Sequence, residues 1–335
     1  MDEIRQIESP YLVFTGDAQD DIVAKTAFGM VQWRRADCLA QASLPGCTIA
    51  LGLPLMSPRE AVAQGARTLV IGIAPPGGAL PEHWVTTLVD AIAAGLDIAC
   101  GLHVRLEGIA ALAAAAAQYG KRLINVRQTT RSFAVGKGVK RPGRRLLTVG
   151  TDCAVGKKYT ALAIHKALAE RGVSATFRAT GQTGILISGG GIAVDAVIAD
   201  FVSGAAEWLS PAAADDHWDI IEGQGALHHP SYAGVSLGLL HGSQPDVFVV
   251  CHEPTRPTMT GVAHGVPDIA DVIDLNIRLG RRTNPAIRCG GIAINTAKLD
   301  TGAARDLIAE TRQRIGLPCT DPIRFGVQDI VEALP

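Results

Sequence analysis

A lysine-bearing glycine loop is the segment of this sequence best suited to chemistry. The segment GTDCAVGKKYT, at residues 150–160, follows the apolar run LLTV and precedes apolar residues at helical spacing. In a strand, loop and helix of this kind, backbone N–H groups and a helix N-terminus converge on an anion, and a lysine adds a point charge. The succession of strand, glycine loop, lysine and helix predicts binding of a phosphate or pyrophosphate group. We assign that binding to the loop residues Gly150, Thr151, Asp152, Cys153, Ala154, Val155, Gly156, Lys157, Lys158, Tyr159 and Thr160.

Two positions of the loop depart from the usual pattern G-x-x-x-x-G-K-[ST]. Thr151 takes the place of the first glycine, and Lys158 stands where a magnesium-binding hydroxyl is expected. An ammonium group cannot ligate magnesium, so hydrolysis of a nucleoside triphosphate is disfavoured unless Thr160 supplies the hydroxyl. Two adjacent lysines suit a phosphate-rich ligand that is held without a metal, such as the pyrophosphate of coenzyme A. We therefore predict that the site holds no metal.

Cys153 lies inside the loop, close to the predicted helix N-terminus, where a thiolate would be stabilised. One interpretation is that its thiol carries an acyl group covalently. The other is that a small residue is needed in a tight turn, and the sequence favours this second interpretation.

A carboxylate and two imidazoles follow another predicted strand. Glu222 directly follows the predicted strand Trp218–Ile221, and His228 and His229 lie in the loop behind it. A carboxylate that does not ligate a metal is available for acid–base catalysis. Imidazole has an unperturbed pKa of ~6.5, near neutrality. We predict Glu222 and His228 as the catalytic residues, and the sequence leaves open which of the two is the base.

Three more segments at predicted strand ends supply candidates for ligand binding. Arg178 and Arg256 each offer a planar guanidinium that matches a carboxylate, and we predict that both bind substrate. Gln182 lies in the glycine-rich stretch TGQTG and is predicted to contact the substrate as well. Backbone N–H groups of that stretch are candidates to stabilise an oxyanion. Asn295, just past the strand GIAI, is the predicted contact to a nucleotide base.

The elements that position these residues indicate an α/β protein. Apolar runs that alternate with alanine-rich helical segments are typical of parallel sheets. A basic stretch rich in glycine and proline, at residues 136–145, separates two halves. We predict a Rossmann-like domain at 1–140 and a P-loop NTPase-like domain at 141–335. The strands predicted for the first domain are Tyr11–Thr15, Thr48–Leu51, Leu69–Ala74, Leu96–Cys100 and Leu123–Val126; those for the second are Leu146–Val149, Ser174–Phe177, Trp218–Ile221, Val247–Cys251 and Gly291–Ile294.

Composition excludes several classes of partner. The 31 Lys and Arg residues balance 32 Asp and Glu residues, and the chain has no basic run of the kind that follows a nucleic-acid backbone. Its longest apolar run, Ile109–Ala117, is far shorter than the ~20 residues that cross a bilayer. The polar start, MDEIRQIESP, differs from a secretory signal. We expect a cytoplasmic homo-oligomer that acts on a small molecule.

Together these segments resemble the DgcN-type D-glutamate N-acetyltransferase family. The resemblance is carried by LTVGTDCAVGKKYTAL at 147–162, RATGQTGILI at 178–187, IEGQGALHHP at 221–230 and CHEPTR at 251–256, with shorter matches GDA, KTA and GLH in the first half. It implies transfer of an acetyl group from acetyl-CoA to the amino group of D-glutamate or a similar amino acid.

The second half also resembles dethiobiotin synthetase. GTDCAVGK is similar to the phosphate loop of that family, IEGQGAL to its EGAGG segment, and AIN at 293–295 to its adenine-contacting asparagine. That resemblance implies an ATP- and magnesium-dependent ligase, an implication that Lys158 weakens. Three functions stay open: an acyl-CoA transferase, an ATP-dependent ligase and a nucleotide-binding protein without chemistry. Magnesium dependence separates the first two, and any turnover removes the third.

Overall fold

The computed structural model describes residues 7–21, 23–73, 79–129 and 131–335, and the chain divides into two compact units. The first unit contains the chain up to residue 130 together with Gly181–Ala196. The second unit contains Arg131–Thr180 and Val197–Pro335. The chain therefore leaves the second unit after Thr180, contributes one segment to the first unit and returns.

The first unit is built on a five-stranded parallel sheet in the order β2-β1-β3-β4-β5. Its strands are mostly buried on both faces, as expected when helices cover both sides of a parallel sheet. The strands are β1 (Tyr11–Gly16), β2 (Cys38–Ser43), β3 (Thr68–Ile71), β4 (Asp97–Cys100) and β5 (Leu123–Asn125), and the helices between them are α1 (Lys25–Arg34), α2 (Pro58–Ala63), α3 (Val85–Ala94) and α4 (Ala110–Tyr119).

One predicted strand of this unit is wrong. Thr48–Leu51 has no strand pairing, and the strand beside β1 is Cys38–Ser43. The side chain of Gln41, on β2, donates to the carbonyl of Ile49 and accepts from the N–H of Leu51. A side chain thus satisfies the backbone groups that a sheet ladder would otherwise satisfy, so an apolar run stays extended without being a strand. Of the predicted strand Leu69–Ala74, residue 74 lies outside the described residues.

The second unit is built on a six-stranded parallel sheet in the order β11-β10-β9-β6-β8-β7. The strands are β6 (Arg144–Gly150), β7 (Ala175–Arg178), β8 (Trp218–Ile221), β9 (Val247–His252), β10 (Arg288–Ile294) and β11 (Cys319–Thr320). The helices are α5 (Lys157–Glu170), α7 (Val202–Leu209), α8 (Ala233–Ser243), α9 (Ile269–Gly280), α10 (Thr301–Ile315) and α11 (Gln328–Glu332), while α6 (Gln182–Ser188) belongs to the first unit. Two parallel sheets confirm the predicted α/β class.

The order of the second sheet decides which loops meet. β6 is central and pairs with β8 on one side and β9 on the other, all in parallel. The loops that follow these three strands therefore leave the same edge of the sheet, where open α/β sheets bind ligands. Among the described residues, no helix is both long and apolar enough to cross a membrane.

Candidate functional site

The loop between β6 and α5 places a lysine over its own backbone. Lys157, the first residue of α5, is only 7% exposed, and its ammonium donates to the carbonyl of Asp152 at 2.7 Å. Burial lowers the pKa of Lys157, against the opposing charges of groups that include Asp152 and Glu222. A buried ammonium held over a glycine loop at a helix N-terminus is suited to neutralise an anion.

The residues after Lys157 do not offer a hydroxyl to a metal. Lys158 directs its ammonium over the ring of Tyr159, 4.4 Å from the ring centre. Thr160 is buried, and its hydroxyl donates to the carbonyl of Gly156 at 3.1 Å and accepts the Cys251 thiol at 3.4 Å. The Thr160 hydroxyl is thus engaged by protein groups on both sides, which disfavours it as a replacement for the hydroxyl that is missing at Lys158.

Cys153 does not have the environment of a reactive thiolate. Burial raises its pKa above the ordinary value, the neighbouring Asp152 raises it further, and Lys157 only partly opposes these effects. The thiol is therefore protonated near neutral pH. This favours the interpretation of Cys153 as a small residue in a tight turn over a covalent acyl carrier.

Glu222 lies at the end of β8, beside the loop. Its Oε2 accepts the N–H of Thr180 at 3.0 Å, and its carbonyl accepts the Thr180 hydroxyl at 2.6 Å. The next residue, Gly223, donates to the Thr148 hydroxyl, and a Cβ there would lie 1.7 Å from the Thr148 carbonyl oxygen and 3.1 Å from Cδ of Lys157. Only glycine allows the backbone of residue 223 to approach Thr148 and the Lys157 side chain this closely.

The two histidines of the next loop differ in their hydrogen bonds. Within the described part of the chain, the buried Nδ1 of His228 has no hydrogen-bond partner. In His229, Nδ1 accepts the N–H of Ser231 at 3.1 Å, so Nε2 carries the proton and donates to the Thr260 carbonyl at 2.9 Å. His228 therefore keeps a ring nitrogen for a ligand, whereas His229 is committed to the fold.

Asp152, Cys153 and His229 place potential metal-ligand atoms within 4.8 Å of one another. Both ring nitrogens of His229 are used in the hydrogen bonds described above. Burial opposes the ionisation of Asp152, but hydrogen bonds from Thr260, Cys153 and Arg256 outweigh it and lower its pKa. Its oxygens serve these protein donors, so the cluster is better explained as a hydrogen-bonded support of the loop than as a metal site.

The two arginines predicted to bind substrate are both engaged within the protein. Arg178 is 7% exposed and forms an ion pair with Asp219, Nε to Oδ1 at 2.7 Å. Arg256 forms ion pairs with Asp152 at 2.8 Å and with Glu253 at 2.9 Å. Binding of a substrate carboxylate by Arg178 or Arg256 stays a prediction. Their ion pairs within the protein favour a role in stabilising the structure around the site.

The remaining candidates lie in separate parts of the chain. Gln182 is the first residue of α6 and belongs to the first unit. Asn295 follows β10, where its N–H donates to the His252 carbonyl and its side-chain oxygen accepts the N–H of Ala297. Nothing in the sequence indicates that Thr180, at the start of the TGQTG stretch, holds Glu222, or that Thr260 holds Asp152. Both are ordinary threonines in loops, and their partners are 42 and 108 residues away.

Comparisons with known proteins cover both units. Residues 132–331 match the profile of DUF1611, a P-loop domain of unknown function, and residues 34–129 match its N-terminal Rossmann-like domain. A protein of Pseudoalteromonas sp. named D-glutamate N-acetyltransferase is 48% identical over 98% of this chain and 99% of its own. A protein of Tritonibacter scottomollicae with the same name has the same identity and coverage. The crystal structure of a DUF1611 family protein from Anabaena variabilis is 34% identical and covers 97% of this chain and 99% of its own, with a TM-score of 0.84. The family resemblance inferred from the sequence is thereby confirmed.

Proposed function

The chain belongs to the DUF1611 family, and from this premise we propose that it is an N-acetyltransferase that acts on the amino group of D-glutamate. The observation that carries the proposal is the 48% identity, over nearly the full length, to two relatives of that name. We propose acetyl-CoA as the acetyl donor. The site supports this choice because the loop offers a buried lysine to phosphates but no hydroxyl for magnesium.

The loop at 150–160 is proposed to hold the pyrophosphate of the donor. Backbone N–H groups and the N-terminus of α5 would bind the phosphate oxygens, and Lys157 would neutralise their charge from within the protein. Lys158 would add a second positive charge at the helix N-terminus. Asn295, at the same edge of the sheet as the loop, is the proposed contact to the adenine.

Acetyl transfer requires a base, because the α-amine of D-glutamate is protonated near neutral pH and cannot attack in that form. The base takes one proton from the ammonium, the nitrogen attacks the thioester carbonyl, and the C–S bond breaks. The attacking nitrogen loses a second proton, which passes to the sulfur, so that CoA leaves as the thiol. Glu222 is proposed for this role because its carboxylate lies at the strand end beside the loop. His228 is the second candidate because its unpaired Nδ1 can accept a proton or relay one.

The two carboxylates of the substrate need donor groups on the protein. Gln182 is proposed as a polar contact to the substrate. Arg178 and Arg256 are weaker candidates than the sequence suggests, because each would have to give up an ion pair with a buried carboxylate to bind a ligand. Removing one partner of such a pair leaves a buried charge unpaired, which is strongly unfavourable.

A donor and acceptor screen tests the function directly. Purified protein is mixed with acetyl-CoA and D-glutamate, release of the CoA thiol is followed with a thiol reagent, and the product is identified by mass. We expect turnover that requires D-glutamate and persists in a metal chelator. L-glutamate serves as the matched acceptor control.

The other two functions predict different results when the screen is repeated with ATP and magnesium. Turnover that depends on ATP and magnesium, without release of CoA, would identify a ligase. Tight binding of acetyl-CoA or ATP, without turnover with D-glutamate or L-glutamate, would identify a binding protein.

A further inference from the structure

An anion-binding loop needs its carbonyl groups turned away from the anion. When successive N–H groups converge on a ligand, the carbonyl oxygens of the same peptides point outward and need donors of their own. Here Ala154 has a φ of 52°, a left-handed conformation that is uncommon for residues with a Cβ. The loop therefore needs outside support to keep this conformation.

A single guanidinium donates to two of these carbonyls and to one side chain of the loop. Nη1 of Arg256 lies 2.7 Å from the carbonyl oxygen of Cys153, and Nη2 lies 3.0 Å from that of Ala154. Nη1 also donates to Oδ2 of Asp152 at 2.8 Å. Three consecutive loop residues are thus bonded to one planar, permanently charged group.

Asp152 is fixed from several directions. Its Oδ1 accepts the N–H of Cys153 at 2.6 Å, and its Oδ2 accepts the N–H and the hydroxyl of Thr260 at 2.9 and 2.8 Å. His229 in turn donates to the Thr260 carbonyl. Asp152 is fully buried, so its contacts are screened little by water.

Arg256 is itself held in place. Its Nε donates to Oε2 of Glu253 at 2.9 Å, and Oε1 of Glu253 accepts the N–H and hydroxyl of Thr255 at 2.9 and 2.5 Å. Glu253 is 4% exposed and directly follows β9, the central neighbour of β6. The guanidinium is therefore anchored to the sheet on one side and to the loop on the other.

We propose that Arg256 is a positioning residue that holds residues 152–154 in the anion-binding conformation and thereby sets the affinity for the phosphates of the acetyl donor. It acts through the loop and not by binding a substrate carboxylate. The identity of the donor rests on the proposed function. The effect on the loop does not, because inorganic pyrophosphate can replace the donor as a probe.

The test compares Arg256→Ala and Arg256→Lys with the parent protein. Calorimetry gives the Kd of pyrophosphate and of CoA, and steady-state kinetics give KM for acetyl-CoA and for D-glutamate. We expect Arg256→Ala to weaken both ligands by about tenfold to a hundredfold and to raise KM for acetyl-CoA alone. Arg256→Lys should recover little, because an ammonium cannot reproduce the planar fork. Millimolar guanidinium ion should partly restore binding to Arg256→Ala and leave the parent unchanged.

The matched control is Arg278→Ala, which removes an arginine that is 65% exposed and paired with Asp274 on α9. It should bind pyrophosphate like the parent. A rise of KM for D-glutamate alone in Arg256→Ala would make Arg256 a substrate contact and overturn the proposal, as would unchanged pyrophosphate affinity in that variant.

Hydrogen exchange keeps the inference separate from the proposed function. The amides of residues 153–156 should exchange faster in Arg256→Ala than in the parent, without any ligand present. If CoA fails to bind the parent but this acceleration is seen, the donor assignment fails and the positioning role stands. Unchanged exchange of these amides in a folded variant would refute the positioning role.

Discussion

The first strands of the two units end in turns that both contain an aspartate, and the two turns hold that aspartate in different ways. Asp17 follows β1, where Trp84 Nε1 and His83 Nε2 donate to its two oxygens at 2.8 and 3.0 Å. Its side chain stays 42% exposed. Asp152 follows β6, is fully buried and is held by Arg256 and Thr260.

The two turns also differ in the charged residues that follow them. Behind Asp17 come the exposed Asp20 and Asp21, and an exposed lysine begins α1. Behind Asp152, α5 begins with Lys157 and Lys158, and Lys157 is buried. Gly16 has a φ of 53°, and a Cβ there would lie 2.5 Å from the Trp84 ring, so that turn is shaped by packing against an aromatic side chain. If the second turn binds the phosphates as proposed, a strand and a turn of similar form bind an anion only where a buried cation such as Lys157 lies against the turn.

The largest effect that would sharpen this comparison is expected from Glu222→Gln. The amide keeps the shape and an acceptor oxygen for Thr180 but has no basicity. If Glu222 is the base, acetyl transfer should fall by about 10²–10⁴-fold while the Kd for acetyl-CoA stays near that of the parent. Stopped or continuous thiol-release assays measure the rate, and calorimetry measures the affinity.

Two further variants are needed to interpret the rate of Glu222→Gln. Glu310→Gln, an exposed acid on α10, is the matched control and should keep parent activity. His228→Ala shows whether the proton passes through imidazole. Parent rates in both Glu222→Gln and His228→Ala would place the base elsewhere.

Removal of the loop lysine should have the next largest effect. Lys157→Ala deletes a charge-assisted contact to a phosphate, which is worth about 1.5–3 kcal/mol, so CoA affinity should fall roughly tenfold to a hundredfold. Lys166→Ala, on the same helix and 66% exposed, is the control. If Lys157→Ala and Lys166→Ala bind CoA equally well, the charge of Lys157 does not contribute to binding, and the proposed difference between the two turns is contradicted.

The pH dependence of binding should be smaller but diagnostic. Burial lowers the pKa of Lys157, so its charge is lost at a lower pH than that of an exposed lysine. CoA affinity should therefore hold at neutral pH and decline as the pH rises through this lowered pKa, below the ordinary value of 10.5. Titration calorimetry across this range tests it, and a decline of the same size in the Lys157→Ala variant would assign it to another group.

The smallest effect is expected from Asp17→Asn. Hydrogen bonds, chiefly from Trp84, lower the pKa of Asp17, so the carboxylate stabilises the folded state above its ordinary value of 3.8 and loses this contribution as the pH falls through the lowered value. The variant should melt slightly earlier at neutral pH, the gap should narrow in acid, and CoA affinity should not change. Scanning calorimetry over pH measures this, and a loss of CoA affinity would contradict the assignment of the anion to the second turn.

Local sequence patterns predicted most of the strands and the strand, loop and helix around residues 150–160. Buried parallel strands are continuous apolar runs, and the loop at 150–160 carries its own glycine and lysine spacing. The run Thr48–Leu51 misled because its backbone bonds are made by the side chain of Gln41, a long-range contact that periodicity does not record. The contact of Arg256 with Asp152, from which its proposed positioning role is argued, was hidden for the same reason, because the two residues are 104 positions apart.

The segment Gly181–Ala196 means that neither unit is encoded by one continuous stretch of gene. Its helix α6 buries Ile185, Leu186 and Ile187, and Arg34 on α1 donates to the Ile187 carbonyl. During synthesis the first unit therefore cannot be completed until part of the second has left the ribosome. A fragment that ends at residue 130 would expose the surface that α6 covers, and one that begins at 131 would carry three unprotected apolar side chains. The two units therefore have to be expressed and folded as parts of one chain.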